Sequence, residues 1–93
     1  MDKQMRNRLR TEGQGIAATL SIGKAGLTDG VVEELDAQLK RQHLVKVRVQ
    51  RSALGEDRSA KDDQAVELSE RLGAELVERR GNTVLLYRKR SRR

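Results

Sequence analysis

Two glycines that flank a lysine form the segment of this chain best suited to hold a phosphate. Gly23-Lys24-Ala25-Gly26 lies between a short apolar run and a stretch with the pattern of an amphipathic helix. Because glycine has no Cβ, a loop with two glycines allows another backbone to approach closely. Thr28 can cap the following helix, whose first amides and positive dipole end favour an anion. With the charge of Lys24 added, the segment predicts phosphate binding.

Other patterns that carry chemistry are weaker. Gly13-Gln14-Gly15-Ile16-Ala17-Ala18 matches a dinucleotide-binding fingerprint, but that motif must follow a strand and here it follows an arginine-rich helix. His43 is the one histidine and there is no cysteine, so a metal site would need carboxylates alone. The acidic residues fall mostly on solvated helix faces and do not converge as an acid and a base. The sequence therefore predicts no enzymatic activity, no cofactor and no metal site.

The charge balance favours a polyanionic partner. The 93 residues include 20 lysines and arginines against 14 aspartates and glutamates, a net charge of +6. Such a balance favours nucleic acid, or less strongly an anionic membrane face, over a neutral partner, although solubility alone would also explain it. No run approaches the roughly 18 apolar residues of a membrane span, and the N-terminus lacks an apolar signal-peptide core. We expect a soluble, cytoplasmic protein of one domain.

Apolar periodicity predicts an alternating series of helices and strands. Hydrophobic residues recur at helical spacing in three stretches, and they alternate with polar ones most clearly in Leu44 to Val49. The predicted elements, in chain order, are a helix over about 2–12 ended by Gly13 and Gly15, a strand over 18–22, a helix over 28–42, a strand over 44–49, a loop over 50–58, a helix over 60–72 capped by Ser59 and ended by Gly73, and strands over 74–79 and 83–88 joined by a hairpin turn at 80–82.

This order predicts an α/β (α+β) fold in which an N-terminal helix precedes a βαβαββ core. Parallel pairing across the two crossovers, together with the terminal hairpin, gives a small four-stranded mixed sheet covered by helices. The single domain takes in residues 1–93, with a core from about 5 to 88 and a basic tail over 88–93.

Further basic residues extend the predicted cationic surface beyond the glycine segment. They are Lys3, Arg6 and Arg10 on the first helix, Lys46 and Arg48 on the second strand, and Arg88 at the end of the last strand. Tyr87 is the sole aromatic residue, which weighs against a surface of the RNA-recognition-motif or OB type, where several rings stack on bases. Nucleic acid would instead be held by backbone amides and cations, as in the G-x-x-G loop of KH modules.

Four segments carry a resemblance to a known family. They are Ile22 to Val31, Leu44 to Val49, Gly73 to Val77, and Gly81 to Arg88. In order and spacing they resemble the CRM domain, named for chloroplast RNA splicing and ribosome maturation, and in particular its single-domain YhbY-like prokaryotic members. The resemblance implies a fold similar to the C-terminal domain of translation initiation factor three, RNA binding linked to precursors of the large ribosomal subunit, and no enzymatic activity.

By position, the resemblance assigns Gly23, Lys24, Ala25 and Gly26 to the RNA-contacting loop. Family members often have asparagine where Ala25 stands, and a proline common in their first strand is absent here. The predicted RNA-binding set therefore comprises Gly23, Lys24, Ala25, Gly26 and Thr28, with Lys3, Arg6, Arg10, Lys46, Arg48 and Arg88 around them.

The favoured hypothesis is a non-catalytic, monomeric RNA-binding protein that acts in assembly of the large ribosomal subunit, with no small-molecule substrate and no membrane partner. One alternative is an Alba-like architectural chromatin protein, which is also small, basic and βαβαββ but coats duplex DNA. The other is a protein-binding adaptor whose charge serves only solubility.

Overall fold

The computed structural model describes residues 2–23, 26–50 and 60–89. Within them it shows the predicted order of elements. These are α1 (Lys3–Gln14), β1 (Leu20–Ile22), α2 (Asp29–Gln42), β2 (Leu44–Val49), α3 (Ala60–Leu72), β3 (Glu75–Arg80) and β4 (Thr83–Tyr87). The predictions for Lys24, Ala25, the loop after Gln50, the Ser59 cap and the tail beyond Lys89 lie outside the described residues.

Local signals explain where the helices begin and end. The Asp2 side chain caps α1 by accepting a 2.7 Å hydrogen bond from the Met5 amide, and Thr28 caps α2 in the same way. Gly73 follows α3 with φ +61°, and the next amide, of Ala74, donates to the Ser69 carbonyl at 2.9 Å. This left-handed glycine with a bond five residues back is a Schellman ending, which turns the chain sharply into β3.

The four strands form one mixed sheet in the order β1-β2-β4-β3. β1 and β2 pair in parallel, as predicted for the first crossover, and β4 pairs antiparallel with both β2 and β3. The prediction that β2 and β3 pair in parallel across the second crossover is wrong, because β4 lies between them. The burial of the strands gives a reason: Val84, Leu85 and Leu86 of β4 are all buried, whereas β3 is rich in charged residues and suits an edge.

Helices cover both faces of the sheet. On one face α2 and α3 pack against the sheet in the larger core, with Ile22, Leu35, Leu39, Val45, Val47, Val49, Ala65, Leu68, Leu72, Val84 and Leu86 buried. On the other face α1 covers a smaller cluster of Leu9, Leu44, Val77 and Leu85, with Met5, Ile16 and Tyr87 at its margin. Alternation along β2 thus sends Val45, Val47 and Val49 to α2 and α3, as predicted, and the residues between them to the face of α1.

The prediction that Gly13 ends the first helix is wrong. Gly13 is a buried residue inside α1, and Gly15 is the residue that caps the helix. A Cβ at Gly13 would overlap the methyl groups of Leu85, which is itself buried. Glycine is therefore used here for close approach of α1 to the sheet, and that contact outweighs its low helix propensity.

Strand ends also differ slightly from the predicted ones. β1 starts at Leu20 rather than Ala18, and β3 is shifted by one residue and carries a bulge between Leu76 and Glu78. The bulge reverses the side-chain alternation that the sequence pattern alone would give for the end of β3. Among the helices in the described part of the chain, none has the length and apolar content needed to cross a membrane.

Candidate nucleic-acid interface

The glycine segment forms a turn directly after β1. The amide of Gly26 donates to the carbonyl of Gly23 at 2.9 Å, and the amide of Thr28 donates to the carbonyl of Gly26 at 3.1 Å. Gly26 has φ +72°, a left-handed conformation that other residues adopt only with strain. Both glycines are half-buried. A single hydrogen bond therefore joins the two described glycines into what we call the glycine turn, and Lys24 and Ala25 between them lie outside the described residues.

Neighbouring elements hold both sides of this glycine turn. Upstream, the amide of Gln50 donates to the carbonyl of Ile22 at 2.9 Å, which ties the end of β1 to the residue after β2. Downstream, the Arg71 guanidinium of α3 lies 3.4 Å from the Leu27 carbonyl oxygen and 3.3 Å from a carboxylate oxygen of Asp29. The turn is thus anchored to the sheet on one side and to α3 on the other.

The start of α2 is less favourable to an anion than the sequence suggested. The Thr28 hydroxyl caps the helix by accepting from the Val31 amide at 3.2 Å, as predicted. Asp29 then places a carboxylate, 94% exposed, in the first turn, where it interacts with the helix dipole and repels a phosphate. Arg71 offsets this charge only in part, because Arg71 also lies 3.9 Å from Glu67. The glycine turn, rather than the first turn of α2, is therefore the better candidate for a phosphate site.

The predicted cations of α1 are all exposed. Lys3 and Arg6 lie in the first half of the helix, and Arg10 lies near its end. Arg10 forms a 3.4 Å ion pair with Glu78 of β3, and its side chain stays about half exposed. Arg10 therefore attaches α1 to the sheet, while Lys3 and Arg6 are open to solvent.

Lys46 and Arg48 lie on the face of β2 that α1 covers in part. Lys46 is half-buried and Arg48 is exposed. Arg48 is in register with Ser21 of β1, two residues before Gly23. The β2 cations and the glycine turn therefore lie at the same end of the sheet, which the sequence pattern did not reveal.

Arg88 has a different environment from the other predicted cations. Its guanidinium donates to the Asp36 carboxylate at 2.7 Å, to the Leu72 carbonyl at 2.9 Å and to the Asp36 carbonyl at 3.0 Å, and only 22% of its side chain is exposed. These bonds occupy most of its donors and join the end of β4 to α2 and to the last residue of α3. We therefore leave Arg88 out of the candidate RNA-binding set.

The same network sets the charge of Asp36. The hydrogen bond from Arg88 lowers the pKa of the Asp36 carboxyl below its ordinary value near 3.8, and the bond from Lys40, at 3.2 Å, lowers it further. Asp36 is thus held ionised at the end of the molecule remote from the glycine turn.

The two ring side chains, also remote from the turn, pack against each other. His43 caps α2 in a left-handed conformation at φ +51°, and its ring meets that of Tyr87 edge to face with centroids 6.1 Å apart. The packing role predicted for Tyr87 is confirmed, since it lies against the smaller core cluster.

The chain matches a known protein family over most of its length. A family model described as the CRS1 / YhbY (CRM) domain matches residues 1–88, which include the glycine turn, the sheet and Arg88. The chain belongs to the CRM domain family. The resemblance noted in the four sequence segments is thereby confirmed.

Two relatives of this CRM domain are named as probable RNA-binding proteins. A probable RNA-binding protein of Methanocaldococcus jannaschii is 34% identical over 88 residues, which cover 94% of this chain and 63% of the relative. A probable RNA-binding protein of Bacillus subtilis is 30% identical over 80 residues, covering 86% of this chain and 79% of the relative. This CRM domain thus spans somewhat less than two thirds of the archaeal relative's length.

A solved structure has the same fold. The solution structure of a Staphylococcus aureus protein, to which an RNA-binding role has been ascribed, superposes with a TM-score of 0.82 at 26% identity and covers 99% of this chain and 92% of its own. The mixed α+β fold predicted from the sequence is confirmed.

Sequence reasoning missed two arginines of this CRM domain: Arg71, which contacts the residues after the glycine turn, and Arg80, at the opposite edge of the same end of the sheet. Arg71 holds Leu27 and Asp29 from α3, 42 to 44 residues along the chain, a distance that no local pattern reveals. Arg80 was assigned to the hairpin turn, but it is the last residue of β3 and pairs with Thr83. The bulge in β3 shifts the alternation of side chains along this strand. Counting the alternation back from the hairpin, where Arg80 pairs with Thr83, places Arg80 on the same face of the sheet as Arg48.

Proposed function

We propose that this CRM domain is a non-catalytic RNA-binding protein that contacts the sugar-phosphate backbone with its glycine turn and nearby cations. The observation that carries the proposal is the position of the glycine turn, which lies beside Arg48 at one end of the sheet. Backbone amides and cations at one site suit phosphate oxygens. Family membership and the names of the relatives support RNA as the partner.

The contact set of the proposal is centred on Gly23, Lys24, Ala25 and Gly26. Lys46 and Arg48 extend it across β2, and Lys3, Arg6 and Arg10 add charge from α1. Thr28 fixes the start of α2 and so the downstream end of the turn. This set neutralises phosphates without base stacking, since the single aromatic ring, of Tyr87, packs at the other end of the sheet.

We further propose that the RNA is a precursor of the large ribosomal subunit and that the protein acts as a monomer in the cytoplasm during its assembly. Membership of the CRM family supports this assignment, because the resemblance to its YhbY-like members implies a link to precursors of the large subunit. Cross-linking in cells followed by sequencing of the attached RNA tests the assignment. Enrichment of large-subunit precursor RNA is expected, and recovery of unrelated RNAs alone would contradict it.

The phosphate-binding role of the turn is tested by a charge change at Gly23. A Cβ at Gly23 would meet its nearest neighbour, the Gln50 side-chain oxygen, at 3.8 Å, and its φ is not left-handed, so a side chain fits there. Gly23→Asp should weaken binding of large-subunit RNA on the order of tenfold, because like charges repel. The matched control Gly23→Asn, of similar size but neutral, should weaken binding much less.

Binding is measured by fluorescence anisotropy over a range of salt concentrations. For about four phosphate contacts to a single strand, the slope of log K against log salt should be near −3, and Lys24→Gln should reduce its magnitude by about 0.7. Equal weakening by Gly23→Asp and Gly23→Asn would indicate a steric effect and oppose phosphate contact. Tighter binding of duplex DNA than of RNA at fixed salt would favour the chromatin-protein alternative, and a salt-independent affinity would favour a protein partner.

A further inference from the structure

A row of four polar residues crosses the whole sheet at the end that bears the glycine turn. Ser21 of β1 pairs with Arg48 of β2, Arg48 pairs with Thr83 of β4, and Thr83 pairs with Arg80 of β3. We call Ser21, Arg48, Thr83 and Arg80 the polar row. With neighbouring strands about 4.8 Å apart, it extends over roughly 14 Å.

The polar row lies on the face of the sheet that α1 covers, in the part of that face beyond the end of the helix. Val47 and Val84, the next pair along β2 and β4, point into the core under α2 and α3, so the polar row points the other way. On that face α1 ends over Leu85, one step further into the sheet, where Gly13 packs. Ser21, Arg48 and Arg80 are accordingly exposed, and Thr83 is half-buried.

Unlike most other arginines in the described part of the chain, the two arginines of the polar row have no partner there. Among residues 2–23, 26–50 and 64–89, no hydrogen bond or ion pair engages the side chain of Arg48 or Arg80. Lys46 lies one step inward and, like these two, is without a partner in the same ranges. The nearby carboxylate of Glu78 is already paired with Arg10. Within the described ranges, the polar row therefore presents two positive charges without an ion-pair partner, about 10 Å apart and separated by one strand.

The polar row continues from the glycine turn without a break. Ser21 is two residues before Gly23, and Arg80 adjoins the Gly81-Asn82 turn of the β3–β4 hairpin. The amide of Val49, next to Arg48, donates to the carbonyl of Asn82 at 2.7 Å, which holds that turn against the end of β2. One line of polar side chains thus runs from the glycine turn across all four strands to the hairpin, where the Thr83 hydroxyl donates to the Arg80 carbonyl at 2.7 Å and the arginines supply the other donors.

We propose that the polar row is a second contact surface for RNA, along which a single strand leaves the glycine turn and crosses the sheet to Arg80. The inference rests on the proposed function and deepens it by naming the ligand as single-stranded RNA. One line of charge matches one phosphate chain, whereas a duplex presents two. Arginine suits this role because its planar fork can donate two hydrogen bonds to one phosphate.

The hairpin supplies a matched pair of variants for the test. Arg79 and Arg80 are adjacent and both exposed, but Arg79 pairs with Val84 and therefore lies on the opposite face. Arg80→Gln should weaken binding of an oligouridine of about 12 nucleotides several-fold and reduce the magnitude of the salt slope by about 0.7. Arg79→Gln removes the same charge from the same hairpin and should leave the slope unchanged. Thermal unfolding of both variants checks that the hairpin is intact.

The outcomes separate this inference from the proposed function. If Gly23→Asp weakens RNA binding while Arg80→Gln acts only as Arg79→Gln does, the polar row makes no contact and the proposed function stands. If none of these variants changes RNA binding, both proposals fail. Tighter binding of an RNA duplex than of the oligouridine would overturn the single-strand assignment. Loss of about 1.4 from the slope in Arg48→Gln/Arg80→Gln, with each single change contributing half, would support it.

Discussion

The two ends of the sheet use arginine in opposite ways. At one end Arg88 is largely buried and donates to a carboxylate and two carbonyls from two helices, α2 and α3. At the other end Arg48 and Arg80 are exposed, with no partner among the described residues. A guanidinium whose donors are satisfied within the fold stabilises it, and one left unsatisfied is available to an anion. Charge in the sequence alone does not distinguish the two.

The difference has a cause in how the helices cover the sheet. Beside Arg88, α2 and α3 bring an aspartate and a free C-terminal carbonyl close to the end of β4. Beside Arg48, α1 ends near Leu85, and no carboxylate of the described residues pairs with Arg48 or Arg80. Among those residues, the first end thus pairs its arginine and the second leaves its arginines without a partner.

The largest effect is expected where α1 meets the sheet. Gly13→Val would force branched methyl groups into the space of the Leu85 side chain, and overpacking of this kind costs about 1–3 kcal/mol. Chemical denaturation should show a lower free energy of unfolding by that amount. Unchanged stability would show that α1 can move away from the sheet at little cost. The contact of Gly13 with Leu85 would then not determine which part of that face α1 covers.

The next effect is expected at Arg88. Arg88→Met keeps the length of the side chain but removes the bonds to Asp36 and Leu72, which should lower the free energy of unfolding by about 1–2 kcal/mol. Denaturant titration at neutral pH measures it, with Arg80→Gln as the exposed control that should change stability by less than about 0.5 kcal/mol. Equal losses in the two variants would remove the distinction between the two ends.

A smaller effect is expected in the pH dependence of stability. The pKa of Asp36 is lowered in the folded state, so its contribution is complete above the ordinary value near 3.8 and is lost as the pH falls through the lowered value. The stability difference between the natural protein and Arg88→Met should therefore be constant from about pH 7 to pH 5 and shrink below about pH 4. Because 39% of the Asp36 side chain is exposed, we expect a change under about 1 kcal/mol. A difference that grows on acidification would contradict the assignment.

Local features of the fold were predictable from the sequence, and contacts between distant segments were not. The bounds of α2 and β2 follow from Thr28, from the helical spacing of Leu35 and Leu39, and from strict alternation, all of which are short-range signals. The position of β4 between β2 and β3 depends on which strand is most apolar on both faces, a property of the assembled sheet. The helical position of Gly13 was not predictable because the side chain that requires glycine there, Leu85, is 72 residues away in the sequence.

The candidate site shows the same division. The turn at Gly23 and Gly26 and the helix cap at Thr28 were predictable because they depend on neighbours in the chain. The contact of Arg88 with Asp36 was not predictable because the two residues are 52 positions apart, and the face on which Arg80 lies was not because β3 extends one residue further than predicted and carries a bulge. Whether an arginine binds a ligand or stabilises the fold depends on partners that only the structure brings together.

We propose that Arg48 and Arg80, which have no partner among the described residues, contact RNA while Arg88 does not. The most direct test is the slope of log K against log salt for oligouridine binding, measured well below the unfolding temperature for the natural protein, Arg48→Gln/Arg80→Gln and Arg88→Met. We predict that the double variant loses about 1.4 from the magnitude of the slope and that Arg88→Met keeps the natural value. A reduced slope in Arg88→Met together with an unchanged slope in the double variant would contradict the claim.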